Sequence, residues 1–225
     1  MTIRYIQDLV DQQAGRWEKE RLATKGKQDG PSVSIHRFPS SGATEIGRRV
    51  AEALDFGFFD KEIVEEIARE ENIRQSLVAN LDEHFRTAIE RHILDGFSSD
   101  SFNETDYLKD LVHVVSHIGH RGNAVIVGRG SAFILPKETT LRVLLTAPLE
   151  NRIEWYAKKT GLPAADAEEI LKKEESSRSE FLKRDFSVAA INPSDFDLCL
   201  DTATFGIEGT TEMIVAATQK RFSLS

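Results

Sequence analysis

Five short apolar runs, separated by longer stretches of helical periodicity, limit what this chain can fold into. The runs are "SVSIH" at 32–36, "GFF" at 57–59, "AVIVG" at 124–128, "LRVLLT" at 141–146 and "DLCLD" at 197–201. Between them Ile46, Val50 and Leu54 share one helical face, Ile63, Val64, Ile67 and Ala68 share another, and Ile207, Met213, Ile214 and Ala217 a third. Strands alternating with helices in this way cannot be hairpin neighbours, so the pattern predicts an α/β fold with a five-stranded parallel sheet flanked by helices. A chain of 225 residues, 40% hydrophobic, is long enough to bury such a core in one domain, expected over residues 31–225.

Two segments stand apart from the alternation. Ile3, Ile6, Val10 and Trp17 give residues 1–30 an amphipathic amino-terminal helix followed by the connector "TKGKQDGP" at 24–31. That helix is expected either to pack on its own domain or to join copies into a homo-oligomer. Residues 72–122 read as a helical insertion with a loop, "DGFSSDSFNET", at 95–105, placed where an α/β enzyme can carry a substrate-covering region.

Charge and cysteine content narrow the function. A formal net charge of -8 argues against an extended nucleic-acid surface, which needs a basic field, while leaving room for arginines converging on a small anion. The single cysteine, Cys199, permits no internal disulfide and no cysteine-rich zinc site, and its apolar strand predicts a buried thiol. With no signal peptide and no apolar run of membrane-spanning length, the expected location is the cytoplasm, away from membranes. His113, His117 and His120 share a helical face, but no carboxylate motif accompanies them, and helix packing against the sheet explains them better than a metal site.

The loop after the first strand carries the chemistry. "HRFPSSGATEIG" runs from strand to helix through Gly42, a position where backbone N–H groups and the helix dipole face an anion. Laid on the phosphate-binding pattern Gly-x-x-x-x-Gly-Lys-Ser/Thr, the chain keeps Gly42 and Thr44 but has Arg37 for the first glycine and Ala43 for the lysine. Read alone, the stretch is also an ordinary helix start with Ser41 as its cap.

Taken together, "SIHRFPSSGATEIGRRVAEALDFGFFDKEIVEEIA", "VIVGRGSAFIL", "LRVLLTAPLENRIEW", "KKEESSRSEFLKR" and "DFDLCLDTATFGIEG" resemble, in order, the cytidylate kinase-like family, a divergent branch of the nucleoside monophosphate kinases. The resemblance covers about residues 32–215 and implies the P-loop NTPase fold, ATP and Mg2+ as cofactors and a small nucleotide as acceptor. It implies that the amides of Ser41, Gly42, Ala43 and Thr44 cradle phosphate, that the Thr44 hydroxyl ligates the metal, and that Arg37 supplies the charge of the missing lysine. Residues 160–190 match the kinase lid, with Arg178 and Arg184 closing over the transferring group. On the acceptor side Arg129 and Asp60 match the monophosphate pocket, although the family's Gly-Arg-Asp turn reads Gly128-Arg129-Gly130 here; Arg152 matches a recurrent arginine. The expected activity is Mg2+-dependent transfer of the ATP γ-phosphate to a CMP-like monophosphate or a related small acceptor. The alternative, favoured by Ala43 and Gly130, is a nucleotide-binding regulatory or partner-binding module without turnover.

Overall fold

Strands β1 (Ser32–Arg37), β2 (Gly57–Phe59), β3 (Ala124–Val127), β4 (Thr140–Thr146) and β5 (Leu198–Asp201) form one parallel sheet in the order β2-β3-β1-β4-β5. They belong to a computed structural model that describes residues 8, 30–69 and 106–224. The expected amino-terminal helix, the loop at 95–105 and much of the 72–122 segment lie outside the described residues. β1 is central, pairing Ile35 with Val127 of β3 and with Val143 of β4. That position puts the β1 exit between two neighbouring strands, where ligands collect in open α/β sheets.

Helices α1 (Ala43–Leu54), α2 (Lys61–Arg69), α3 (Asp106–Arg121), α4 (Ser131–Ile134), α5 (Leu149–Thr160), α6 (Ala164–Phe186) and α7 (Thr202–Phe222) complete the described elements, with a 3-10 turn at Pro193–Asp195. Alternation along the strands sorts the core into two layers. Val33, Ile35, Val125, Val127, Val143 and Leu145 pack with Ile46 and Val50 of α1 and Ile214 of α7. On the other side Phe59, Ala124 and Ile126 meet Ile63, Val64 and Ile67 of α2 and Leu111, Val115 and Ile118 of α3. The end of the expected insertion is thus a core helix. The serines of β1 face this second layer fully buried: Ser32 Oγ donates to Gly119 O at 3.0 Å, and Ser34 Oγ lies 2.7 Å from Ser131 Oγ.

Two expectations about the core are corrected. Met213 is 37% exposed, because the buried face of α7 follows Thr210, Ile214 and Thr218 at four-residue steps. These threonines escape a hydrophobic pattern search, yet they bury well since their hydroxyls donate back to the carbonyls of Gly206 and Ile214, at 2.6 and 2.7 Å. Cys199 is exposed: β5 is an edge strand, and the pleat that turns Leu200 inward turns the thiol outward. No described helix is long and apolar enough to cross a membrane.

His36 sits beside Phe133 and Phe196, with ring centroids 6.2 and 5.7 Å away. Burial, then the Arg37 and Arg178 charges, lower its pKa to about 4, so it is neutral in the fold. An unfolded chain takes up that proton near pH 6.5, so the stabilisation is complete above 6.5 and is lost as pH falls towards 4. Urea denaturation near neutrality and at about pH 5 should show wild type losing about 2 kcal/mol more than His36→Phe; equal losses would contradict the assignment.

Candidate functional site

The β1–α1 turn is built by a short set of local contacts. Phe38 N donates to Leu145 O at 3.1 Å, and Ser41 Oγ donates to Phe38 O at 2.9 Å. Ser40 and Gly42 both take left-handed conformations, with φ of 60° and 74°. Gly42 is the N-cap of α1 and no side chain caps the helix, so the expected Ser41 cap is corrected: its hydroxyl is held by the Phe38 carbonyl. The first amides of α1, at Ala43, Thr44 and Glu45, therefore have no acceptor within the helix and none from a capping side chain. Ala43 is buried in the α1 layer of the core, whereas Gly42 and Thr44 are exposed at the helix start. Glu45, the acidic residue of this turn, is paired with Arg48 at 2.9 Å and Arg49 at 2.8 Å.

Beside this turn three of the four expected arginines come together. Arg37 ends β1, and its guanidinium lies against the backbone of Gly128: a β-carbon there would stand 2.1 Å from Nη1. That close approach explains the glycine at the end of β3. Arg178, from α6, donates from Nη1 to the Arg37 carbonyl at 3.3 Å and from Nη2 to Glu174 at 3.2 Å. Burial first, then the Arg178 charge, bring the Arg37 pKa down to about 10, so it stays charged at neutral pH. Among the described residues no carboxylate forms an ion pair with it.

Arg129 occupies the next turn in a left-handed conformation, φ 52°. Its Nη2 pairs with Glu65 of α2, its guanidinium lies over the Phe181 ring at 5.5 Å, and its buried Nε has no hydrogen-bond partner among the described residues. Burial lowers the pKa of both Arg129 and Arg178. The exposed Glu62, in the first turn of α2, opposes that lowering at Arg37, Arg129 and Arg178 alike.

The remaining expected residues fall on either side of this group. Asp60 is 6% exposed and caps α2, accepting Ile63 N at 3.0 Å; burial raises its pKa despite that bond. Lys61 follows it, its pKa lowered by burial and then by Arg129. Arg184 is not brought to the cluster. Its Nε and Nη2 each donate to the buried carboxylate of Asp185 at 2.6 Å, and its side chain is 63% exposed. The adjacent buried acid holds the guanidinium that the sequence pattern had assigned to a ligand.

Sequence reasoning gave no role to Glu65, Phe181 and Phe186, although all three lie within the span that resembles the family. The one available signal was the i,i+3 spacing of Glu62 and Glu65 on a helix whose other face is apolar.

A helix start with open amides, a hydroxyl in its first turn and three neighbouring guanidinium groups thus lie side by side. The sequence profile of the cytidylate kinase-like family matches residues 32–204. The chain belongs to that family. It is 26% identical over 198 residues to a cytidylate kinase of Methanopyrus kandleri, covering 82% of this chain and 91% of the relative. It is also 26% identical over 188 residues to a cytidylate kinase of Aeropyrum pernix, covering 81% and 96%. An uncharacterized protein of Eubacterium ventriosum, solved by crystallography, shares the fold with a TM-score of 0.66 at 16% identity, covering 86% of this chain and 99% of that one. Strand order and family together make this the P-loop kinase fold.

Within the family's Gly-Arg-Asp turn, Gly130 of this chain stands at the aspartate position. Its φ is 70°, and a β-carbon there would lie 2.4 Å from Cζ of Phe186. The aromatic ring fills the room an aspartate would need. Gly130→Ala should therefore cost about 1–3 kcal/mol in chemical denaturation. Gly161→Ala is the control, since φ there is 76° with nothing within 4 Å of the added carbon, and its cost should be smaller. Equal costs would mean that Phe186 makes room for the added carbon and leave backbone strain as the whole effect.

Proposed function

We propose that this protein transfers the γ-phosphate of ATP, with Mg2+, to a CMP-like nucleoside monophosphate or a related small phosphorylated acceptor. Family membership makes it a nucleotide kinase. The observation that carries the finer reading is the convergence of Arg37, Arg129 and Arg178 beside the open amides of α1. Phosphoryl transfer asks little covalent chemistry of a protein; it asks for alignment and for positive charge around the oxygens of the moving group.

Each residue then has a role set by its position. The amides from Ser41 to Thr44 cradle the donor phosphates, as a left-handed Gly42 leading into a helix allows. Arg37 replaces the missing lysine, reaching the donor from the strand end with a fork of donors that a single ammonium lacks. Arg178 brings a second guanidinium from α6, keeping Nη1 on the Arg37 carbonyl and turning Nη2 from Glu174 to the moving phosphoryl group. Arg129, oriented by Glu65, supplies its guanidinium charge to the acceptor phosphate. Asp60 steadies this wall from the cap of α2.

The residues present fit Mg2+ in the manner of P-loop kinases, where substrate phosphates supply most ligands. The Thr44 side chain is exposed in the first helical turn, and among the described residues its hydroxyl forms no hydrogen bond. Thr44 would hold the ion, which when bound neutralises charge on the phosphate oxygens. The charge and composition support a cytoplasmic location, and the amphipathic pattern of residues 1–30 supports self-association through that segment.

The test is a coupled assay with ATP, Mg2+ and a panel of pyrimidine and purine monophosphates. Turnover of at least one acceptor is expected, and nucleotide binding with no product from any acceptor would defeat the kinase reading in favour of a binding module. Arg129→Ala should raise the acceptor KM roughly tenfold or more, as loss of a charge-assisted contact does, while the ATP KM moves little. Equal changes in both would contradict the role of Arg129.

A further inference from the structure

Arg152 lies outside the phosphate-facing cluster, yet it touches three separate parts of the site. It stands in the first turns of α5 with only 7% of its side chain exposed. Its Nε donates to Ala147 O at 3.0 Å, at the end of β4. Nη1 lies 3.4 Å from Pro39 O in the anion loop and 3.0 Å from Glu175 Oε2 in α6. The guanidinium also covers the ring of Phe38 at 5.3 Å. One nitrogen thus bridges the loop and α6, while the neighbouring nitrogen anchors it to the sheet.

We infer that Arg152 is a positioning residue that couples the place of α6 to the shape of the β1–α1 loop, with Glu175 as the contact that transmits it. The physical reason lies in the unequal standing of its partners. Two backbone carbonyls and an aromatic face hold a buried guanidinium, which is costly to leave unpaired. Glu175 is 38% exposed and is the one carboxylate in the set, so movement of α6 exposes the pair to water and returns Nη1 to Pro39 alone. Arg178 runs parallel to it, reaching the Arg37 carbonyl from one helical turn further along α6. Two contacts from the same helix therefore meet the same loop, one at each end of the Arg37–Pro39 stretch. Docked α6 holds the loop in its phosphate-receiving form; displaced α6 releases both ends.

The kinetic consequence rests on the proposed phosphoryl transfer, whereas the coupling itself does not. Glu175→Gln is the primary variant because an exposed carboxylate is changed without emptying the core. Hydrogen exchange followed by mass spectrometry should show faster exchange by about two- to fivefold in peptides spanning 38–45 as well as in those spanning 172–179, the size expected for loss of one partly exposed ion pair. Arg152→Lys, which keeps the charge but cannot bridge both partners, should produce the same paired effect. Acceleration confined to the α6 peptides, or absent from both segments, would overturn the coupling. In steady-state assays Glu175→Gln should raise the ATP KM and lower kcat while the acceptor KM stays within about twofold; equal rises in both KM values would overturn the assigned direction of the coupling. Absence of turnover in wild type defeats the kinase reading, and the exchange result then decides the coupling by itself.

Discussion

Like charges held close together are the constraint around which this site is arranged. Arg37, Arg129 and Arg178 lie in a partly buried region, and burial is the first cause that lowers the pKa of each; the charges of Arg178 and Arg129 add to it at Arg37, that of Arg178 at Arg129, and that of Arg152 at Arg178. Such an arrangement persists only if the scaffold fixes it. Here the scaffold does so with Gly128, which lets Arg37 lie on the β3 exit, with Glu65 on Arg129, and with Glu174 on Arg178. On the proposed function, an arriving polyanion relieves the crowding of positive charge, and that relief contributes to affinity for phosphate.

The lysine-free loop makes sense in this setting. Ala43 is packed into the layer that carries Ile46 and Val50, and positive charge reaches the loop from the β1 end and from α6 instead. The arrangement ties the β1–α1 loop to α6 more closely than a lysine within the loop would. Arg178 and the Arg152–Glu175 pair both join that helix to the Arg37–Pro39 stretch that leads into the β1–α1 turn.

A feature of this fold was legible in the sequence where its cause was local and hidden where its cause was tertiary. Strand alternation placed all five strands, because a parallel core leaves runs such as "AVIV" that have no other good explanation. Gly42 and Thr44 were legible because a helix start has a local chemistry. Glu65, Glu175 and Phe186 were not, since each acts on a residue far away in the chain, and neither was the pairing of Arg184 with its neighbour Asp185, which depends on that acid being buried. Thr210 and Thr218 hid in the core behind hydroxyls that bond their own helix. Cys199 read as buried because edge strands look like central ones until their order is known.

The central claim is that guanidinium groups, Arg37 foremost, replace the loop lysine in holding a triphosphate. Calorimetric titration of ATP with Mg2+ into wild type and Arg37→Met, both checked for folding by circular dichroism, tests it most directly. The account predicts measurable binding to wild type and affinity weaker by about tenfold or more in the variant. Unchanged affinity on losing Arg37, or no heat from wild type at all, would contradict it.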